Sequence, residues 1–118
     1  MADRKLNDFK RGVRVYKNHF WDFYNKLDTK VQSKIDWTIT LVQITKIVPR
    51  KFLKHLTNTD GLWEMRISAD NGIFRIFCFF DKGNLIIVLN GFQKKTQTTP
   101  KTEIKKAERL KKEYYENK

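Results

Sequence analysis

Cysteine, proline and glycine are all scarce in this 118-residue chain, at one, two and five residues, and each shortage closes off an architecture. A single cysteine, Cys78, permits no intrachain disulfide, which suits a reducing cytoplasm. Set within IFCFF, it reads as an inert core thiol. No Pro/Gly linker, repeat or low-complexity tract divides the chain, so residues 1–118 read as one domain with a single modest core. Long apolar runs are missing too: none approaches the ~20 residues of a spanning helix, and no membrane insertion is expected. The opening MADRKLNDFKRG lacks the apolar stretch of a secretory signal. Histidine occurs twice, His19 and His55, without a companion cysteine or an HxxxH spacing, so no zinc site is expected. A glycine-rich phosphate loop, a nucleophile elbow and a dinucleotide fingerprint are all absent, which leaves no motif for a small-molecule cofactor.

Acidic residues are the other shortage. Lys and Arg total 25 against 13 Asp and Glu, a formal net charge of +12. That excess argues for a polyanionic partner: nucleic acid, an acidic protein segment or an anionic membrane surface. The expected fold is α+β: a small antiparallel, partly mixed, twisted sheet of about four strands against two N-terminal helices, with a basic C-terminal helix. VRVY at Val13–Tyr16 alternates as a short first strand. HFWDFYNKL suggests a brief helix, and Asp28 and Thr29 look like caps for a longer one reaching about Ile47, stopped by Val48-Pro49. Lys51 to Leu56 reads as a basic connector. Thr99 is the expected N-cap of the last helix, with Pro100 at its first position. Its lysine-dense side reads as a solvated face.

Between these lie two hairpins, LWEMRISADNGIFRIFCFF and its continuation through DKGN into LIIVLNGFQKK. With Asn71-Gly72 as the turn, Ser68 faces Arg75 and Arg66 faces Phe77. Glu64, Arg66, Ser68, Arg75, Phe77 and Phe79 then share one side, while Trp63, Met65, Ile67, Phe74, Ile76, Cys78 and Phe80 form the core side. Arg66 and Arg75 become diagonal neighbours, roughly 7–8 Å apart. Pairing Phe80 with Leu85 sets Asn90 opposite Arg75, with Phe92 further along and Lys94 and Lys95 leaving the same end. A cationic cluster of this kind is a candidate phosphate site, because like charges held together oppose folding unless an anion neutralises them. The competing reading has the arginines solvated on an open face, with Glu64 and Asp70 as ion-pair partners. Phe77 and Phe79 are expected under the C-terminal helix, leaving Phe92 as the candidate base-stacking ring. His55 is a weak acid/base candidate near the basic end.

The order strand, two helices, LWEMRIS, GIFRIFCFF, LIIVLNGFQKKTQTTP and a basic terminal helix resembles the HigB-like toxins of the RelE/ParE superfamily, in the branch with a Gly-Phe-x-Lys-Lys-Thr-x-x-Thr-Pro tail. The resemblance implies a RelE-like fold and the toxin of a type II toxin–antitoxin system, an mRNA endoribonuclease acting on the translating ribosome in the cytoplasm. Its implied partners are a cognate antitoxin, the ribosome and mRNA. Carried onto this chain, Arg66 and Arg75 match sheet positions of basic catalytic residues, and Phe92, Lys94 and Lys95 match the tail that borders the site. Arg66, Arg75, Lys94 and Lys95 are then the catalytic candidates, and Phe92, Asn90 and His55 the RNA-contact candidates. Related sequences often carry histidine in place of Asn90 and lysine in place of Thr98. The first difference removes a proton carrier, and interest passes to Lys94, Lys95 and His55. The superfamily also holds gyrase inhibitors of the same fold, and a non-catalytic nucleic-acid-binding module is a third reading.

Overall fold

In the computed structural model the described residues are 9–118. Most of the opening segment read for a secretory signal lies outside them. Five strands and three helices follow in the order β1 (Val13–Val15), α1 (His19–Tyr24), α2 (Thr29–Ile44), β2 (Leu53–His55), β3 (Trp63–Ala69), β4 (Gly72–Phe80), β5 (Ile86–Lys94) and α3 (Lys101–Glu116). The sheet runs β1-β5-β4-β3-β2, with β1 parallel to β5 and the remaining pairs antiparallel. The expected α+β architecture is observed, with one strand more than the sequence reading placed. That strand is β2, in the supposed connector. It pairs Leu53 with Met65, Lys54 with Glu64 and His55 with Trp63.

Helices cover both faces of the sheet. Phe20, Val31, Ile35 and Val42 from α1 and α2 pack on Met65, Ile67, Phe74, Ile76 and Val88. On the reverse side Ala107, Leu110 and Tyr114 of α3 pack on Phe77, Phe79, Ile87 and Leu89. Double burial explains the unbroken apolar runs of β4 and β5. Cys78 lies inside, and burial, with the Glu64 charge adding, pushes its thiol up to about 12, so it stays a protonated core residue. No helix among the described residues is long and apolar enough to cross a membrane.

Helix ends follow local chemistry. Asp28 caps α2 by accepting the Val31 N–H at 2.9 Å. At the far end α2 stops at Ile44, three residues before the expected Ile47. The Arg11 guanidinium donates there to the carbonyls of Val42, Thr45 and Lys46 at 2.8, 2.6 and 2.8 Å, which satisfies groups that another helical turn would have used. α3 starts at Lys101, with Pro100 rather than Thr99 as its N-cap, in extended geometry. Its C-terminal end is tied to the β4–β5 turn: Asp81 accepts from Tyr114 at 2.7 Å and Lys118 at 2.8 Å.

α1 lies close over β5 because position 91 is glycine. A Cβ there would fall 2.5 Å from Phe23 Cδ2 and 2.6 Å from its Cε2, and Phe23 is itself packed against the core. Gly91→Ala should therefore lower stability by about 1–3 kcal/mol through overpacking. Thermal unfolding measures this, and an unchanged midpoint would mean that the ring moves aside freely.

Candidate functional site

The two hairpins set the site, and both registers differ from the expected ones. Between β3 and β4, Ala69 pairs with Gly72, so Asp70 and Asn71 are the turn residues. Neither has a positive φ, whereas Gly72 takes φ 151°. The turn thus leaves its left-handed requirement to the glycine that follows it. The register moves by two residues, which keeps every side chain on its expected face but sets Arg66 directly opposite Arg75 instead of diagonal to it.

Between β4 and β5, Phe80 pairs with Ile86 rather than Leu85, and Arg75 with Phe92 rather than Asn90. The ladder slips between Ile76–Gly91 and Cys78–Val88, leaving Leu89 and Asn90 together against Phe77. This bulge reverses the in-out alternation along β5. Without it, Arg75 would face Gly91, and Phe92 and Lys94 would lie on the α1/α2 side. The bulge brings both onto the arginine side.

What results is an open basin of about 630 Å³ ringed by Lys54, Arg66, Arg75, Lys94 and Lys95, with Ile73, Thr96 and Gln97 completing the wall. Four of these cations were expected together. Lys54 was missed because it belongs to β2. Beneath the basin lies Glu64, its side chain only 3% exposed, with Oε2 3.4 Å from Arg66 Nε and 3.8 Å from Arg75 Nε. Arg75 is buried as well, at 7% side-chain exposure, so the picture of two arginines solvated on an open face does not hold. Glu64 does pair with them, from below. One carboxylate holds two guanidinium groups together and leaves the five cations in excess over it.

Hydrogen bonds among these groups are few. Arg75 Nη1 donates to the Phe74 carbonyl at 3.1 Å. Arg66 Nε, Arg75 Nε and Glu64 Oε1 are buried without a hydrogen-bond partner among the described residues. Such unsatisfied groups are rare in folded interiors, and both arginine Nε atoms lie against the Glu64 carboxylate with which they form ion pairs. Burial lowers the Arg75 pKa from its ordinary value, Glu64 opposes that shift, and Arg66 adds to it. Burial likewise lowers Lys94, helped by Arg75 and, more weakly, by Arg66 and Lys54, against the opposing Glu64. Lys94 is thus an amine held in a cationic site, easier to deprotonate than an ordinary lysine.

The three RNA-contact candidates lie elsewhere than expected. Phe92 is buried opposite Arg75 and meets Phe77 edge-on at 5.2 Å between ring centroids, so it supports the basin from behind. Asn90 is buried in the bulge and donates from Nδ2 to Glu103 Oε1 at 3.0 Å, which fastens β5 to the first turn of α3. His55 alternates with Lys54 along β2 and packs its ring on Trp63 at 5.0 Å, facing away from the basin. A histidine that looked adjacent in sequence is on the wrong side of its strand, and the lysine before it takes the place.

Residues 22–112, most of the chain, match the model of the phage-derived Gp49-like protein family (DUF891). The chain belongs to that family. Gp49-like proteins are related to toxins of the RelE/HigB type, and membership is consistent with the toxin of a toxin–antitoxin pair, which suggests an antitoxin as partner. No curated protein matches the chain in sequence. The basin of this Gp49-like chain lies wholly within the matched residues, from Lys54 to Gln97.

Proposed function

We propose that this Gp49-like chain is a HigB-like toxin that inhibits translation by cutting mRNA on the ribosome, as a metal-independent endoribonuclease. The observation that carries the reading is the pairing of Arg66 with Arg75 across β3 and β4, over one buried carboxylate and inside a ring of three lysines. That arrangement suits a phosphodiester whose oxygens gain charge during the reaction.

In the proposed step the substrate's 2′-oxygen attacks the adjacent phosphorus. The 2′-O–P bond forms, the P–O5′ bond breaks, and the products are a 2′,3′-cyclic phosphate and a 5′-hydroxyl. Arg75 neutralises the charge growing on the phosphate oxygens, since a guanidinium stays charged and can contact two oxygens at once. Arg66 positions the neighbouring phosphate. Lys94 protonates the departing 5′-oxygen, a task its lowered pKa favours, and Lys95 and Lys54 hold the strand. The 2′-hydroxyl proton leaves to water. Water is a weak base, so the free protein should be a slow nuclease, and the ribosome contributes by holding the RNA for in-line attack. Work on translating ribosomes is cytoplasmic work.

Cleavage of ribosome-bound RNA should persist at EDTA concentrations that leave ribosomes intact, and the upstream fragments should end in cyclic or 3′ phosphate. Mass analysis of the fragment ends decides. Upstream 3′-hydroxyl ends, or activity restored only by a metal that ribosomes do not need, would point to a hydrolase of another kind. Loss of DNA supercoiling before loss of translation would favour a gyrase inhibitor.

A further inference from the structure

Beside the basin lies a second cleft of about 560 Å³, between α2 and the β2–β3 edge. Two aromatic rings, Trp37 and Phe52, line it. Trp37 is 56% exposed although α2 has a fully buried side available, and its ring meets that of Phe52 at 5.4 Å and 69°. The rim is cationic: Lys34 and Lys51 line it, and Lys51 Nζ sits 5.5 Å from the Phe52 ring centroid. Arg66 lines this cleft and the basin alike. A phosphate held at Arg66 would therefore have the five-cation basin on one side and an aromatic corner on the other.

We infer that the Trp37–Phe52 cleft is a nucleobase subsite for single-stranded RNA, holding the base of a nucleotide next to the phosphates in the basin. The inference rests on the ribonuclease reading for its substrate class but not for its chemistry. An exposed indole is a sequence-tolerant stacking surface, because every base presents a π-face. Ser33 and Ser68 supply polar groups at the mouth for the base edge. The charge of the rim favours this occupant over an apolar helix of a partner protein. Lys34, Lys51 and Arg66 would have to be covered by such a helix, whereas a nucleotide brings its own phosphate to them.

Binding without cleavage tests the subsite. The probe is a single-stranded oligoribonucleotide of about six residues, 2′-O-methylated throughout so that it cannot be cut, beside an abasic strand with the same phosphates. Fluorescence anisotropy at low salt reads both. The intact strand should bind wild type roughly 10-fold tighter than the abasic one. Trp37→Ala should erase that difference without changing abasic binding, and Trp37→Phe should keep most of it. If Trp37→Ala holds the intact strand as wild type does while Arg66→Ala weakens both strands, the phosphate basin stands and the base subsite is wrong. If neither strand binds wild type, the base subsite is wrong, and cleavage of ribosome-bound RNA decides the ribonuclease reading separately. If Trp37→Ala loses antitoxin binding while its RNA binding is unchanged, the cleft belongs to the protein partner.

Discussion

Arg75→Ala should abolish growth arrest and reduce cleavage of ribosome-bound mRNA by about 10²–10³-fold, the usual effect of removing one well-placed group that stabilises transition-state charge. The burial of Arg75 complicates the experiment in a useful way. Its guanidinium shares Glu64 with Arg66, so the substitution also leaves a buried carboxylate with one cation in place of two. The cost should be about 1–3 kcal/mol of stability, below the loss for a buried charge stripped of every partner, since Arg66 remains. Adding Glu64→Gln to Arg75→Ala removes the stranded charge and should restore most of the stability but none of the activity. Arg75→Lys should fold well and cleave poorly, because an ammonium keeps the charge but loses the forked geometry. Thermal melts and a ribosome cleavage assay on the same four proteins separate the two roles. Folded Arg75→Ala cleaving at the wild-type rate would take Arg75 out of the mechanism.

The faces of β3 and β4 were readable from sequence and the registers of the sheet were not, and the period of two explains both. Moving β3 against β4 by two residues leaves Arg66 and Arg75 on the same side, so alternation alone could not tell opposed arginines from diagonal ones. What decided it was a turn at Asp70-Asn71 with Gly72 after it, a choice that the Asn-Gly pair disguises. The bulge at Leu89 and Asn90 was hidden because Ile86 to Leu89 is apolar throughout, and a strand buried on both faces shows no alternation to interrupt. β2 was hidden by shortness, at three residues held in place by Met65, Glu64 and Trp63 rather than by β propensity. With it went Lys54. Missing too was the depth of Arg75. An arginine inside an apolar run, next to a strand carrying a glutamate in the paired position's neighbourhood, was the available signal for a buried pair. His55 and Asn90 drew attention by residue type, and the strand alternation of the one and the α3 contact of the other removed them from the basin.

Association with the antitoxin should slow by about tenfold or more between low salt and several hundred millimolar, because opposite charges steer the encounter and salt screens that steering over ~8–10 Å. The chain carries +12, and Lys54, Arg66, Arg75, Lys94 and Lys95 concentrate five positive charges around one basin with a single carboxylate beneath. In a cell full of RNA such a surface needs a cover, and an acidic segment laid over the basin would block the substrate and neutralise the charge together. Charge-removing changes at its exposed rim should therefore flatten the salt dependence. Lys95→Ala and Lys54→Ala should each lower the low-salt on-rate severalfold and leave the high-salt rate nearly unchanged. Stopped-flow mixing of toxin and antitoxin across a salt series measures all three slopes. An on-rate indifferent to salt would give recognition to apolar contacts instead, and the structure offers exposed apolar side chains for them in Trp21 on α1, Ile44 at the end of α2 and Ile47 just beyond it. An antitoxin docked there would leave the basin uncovered and would have to inhibit by keeping the toxin out of the ribosome. The two modes differ in one further measurement: a basin-covering antitoxin competes with a short RNA strand for the free toxin, and a helix-docked one does not.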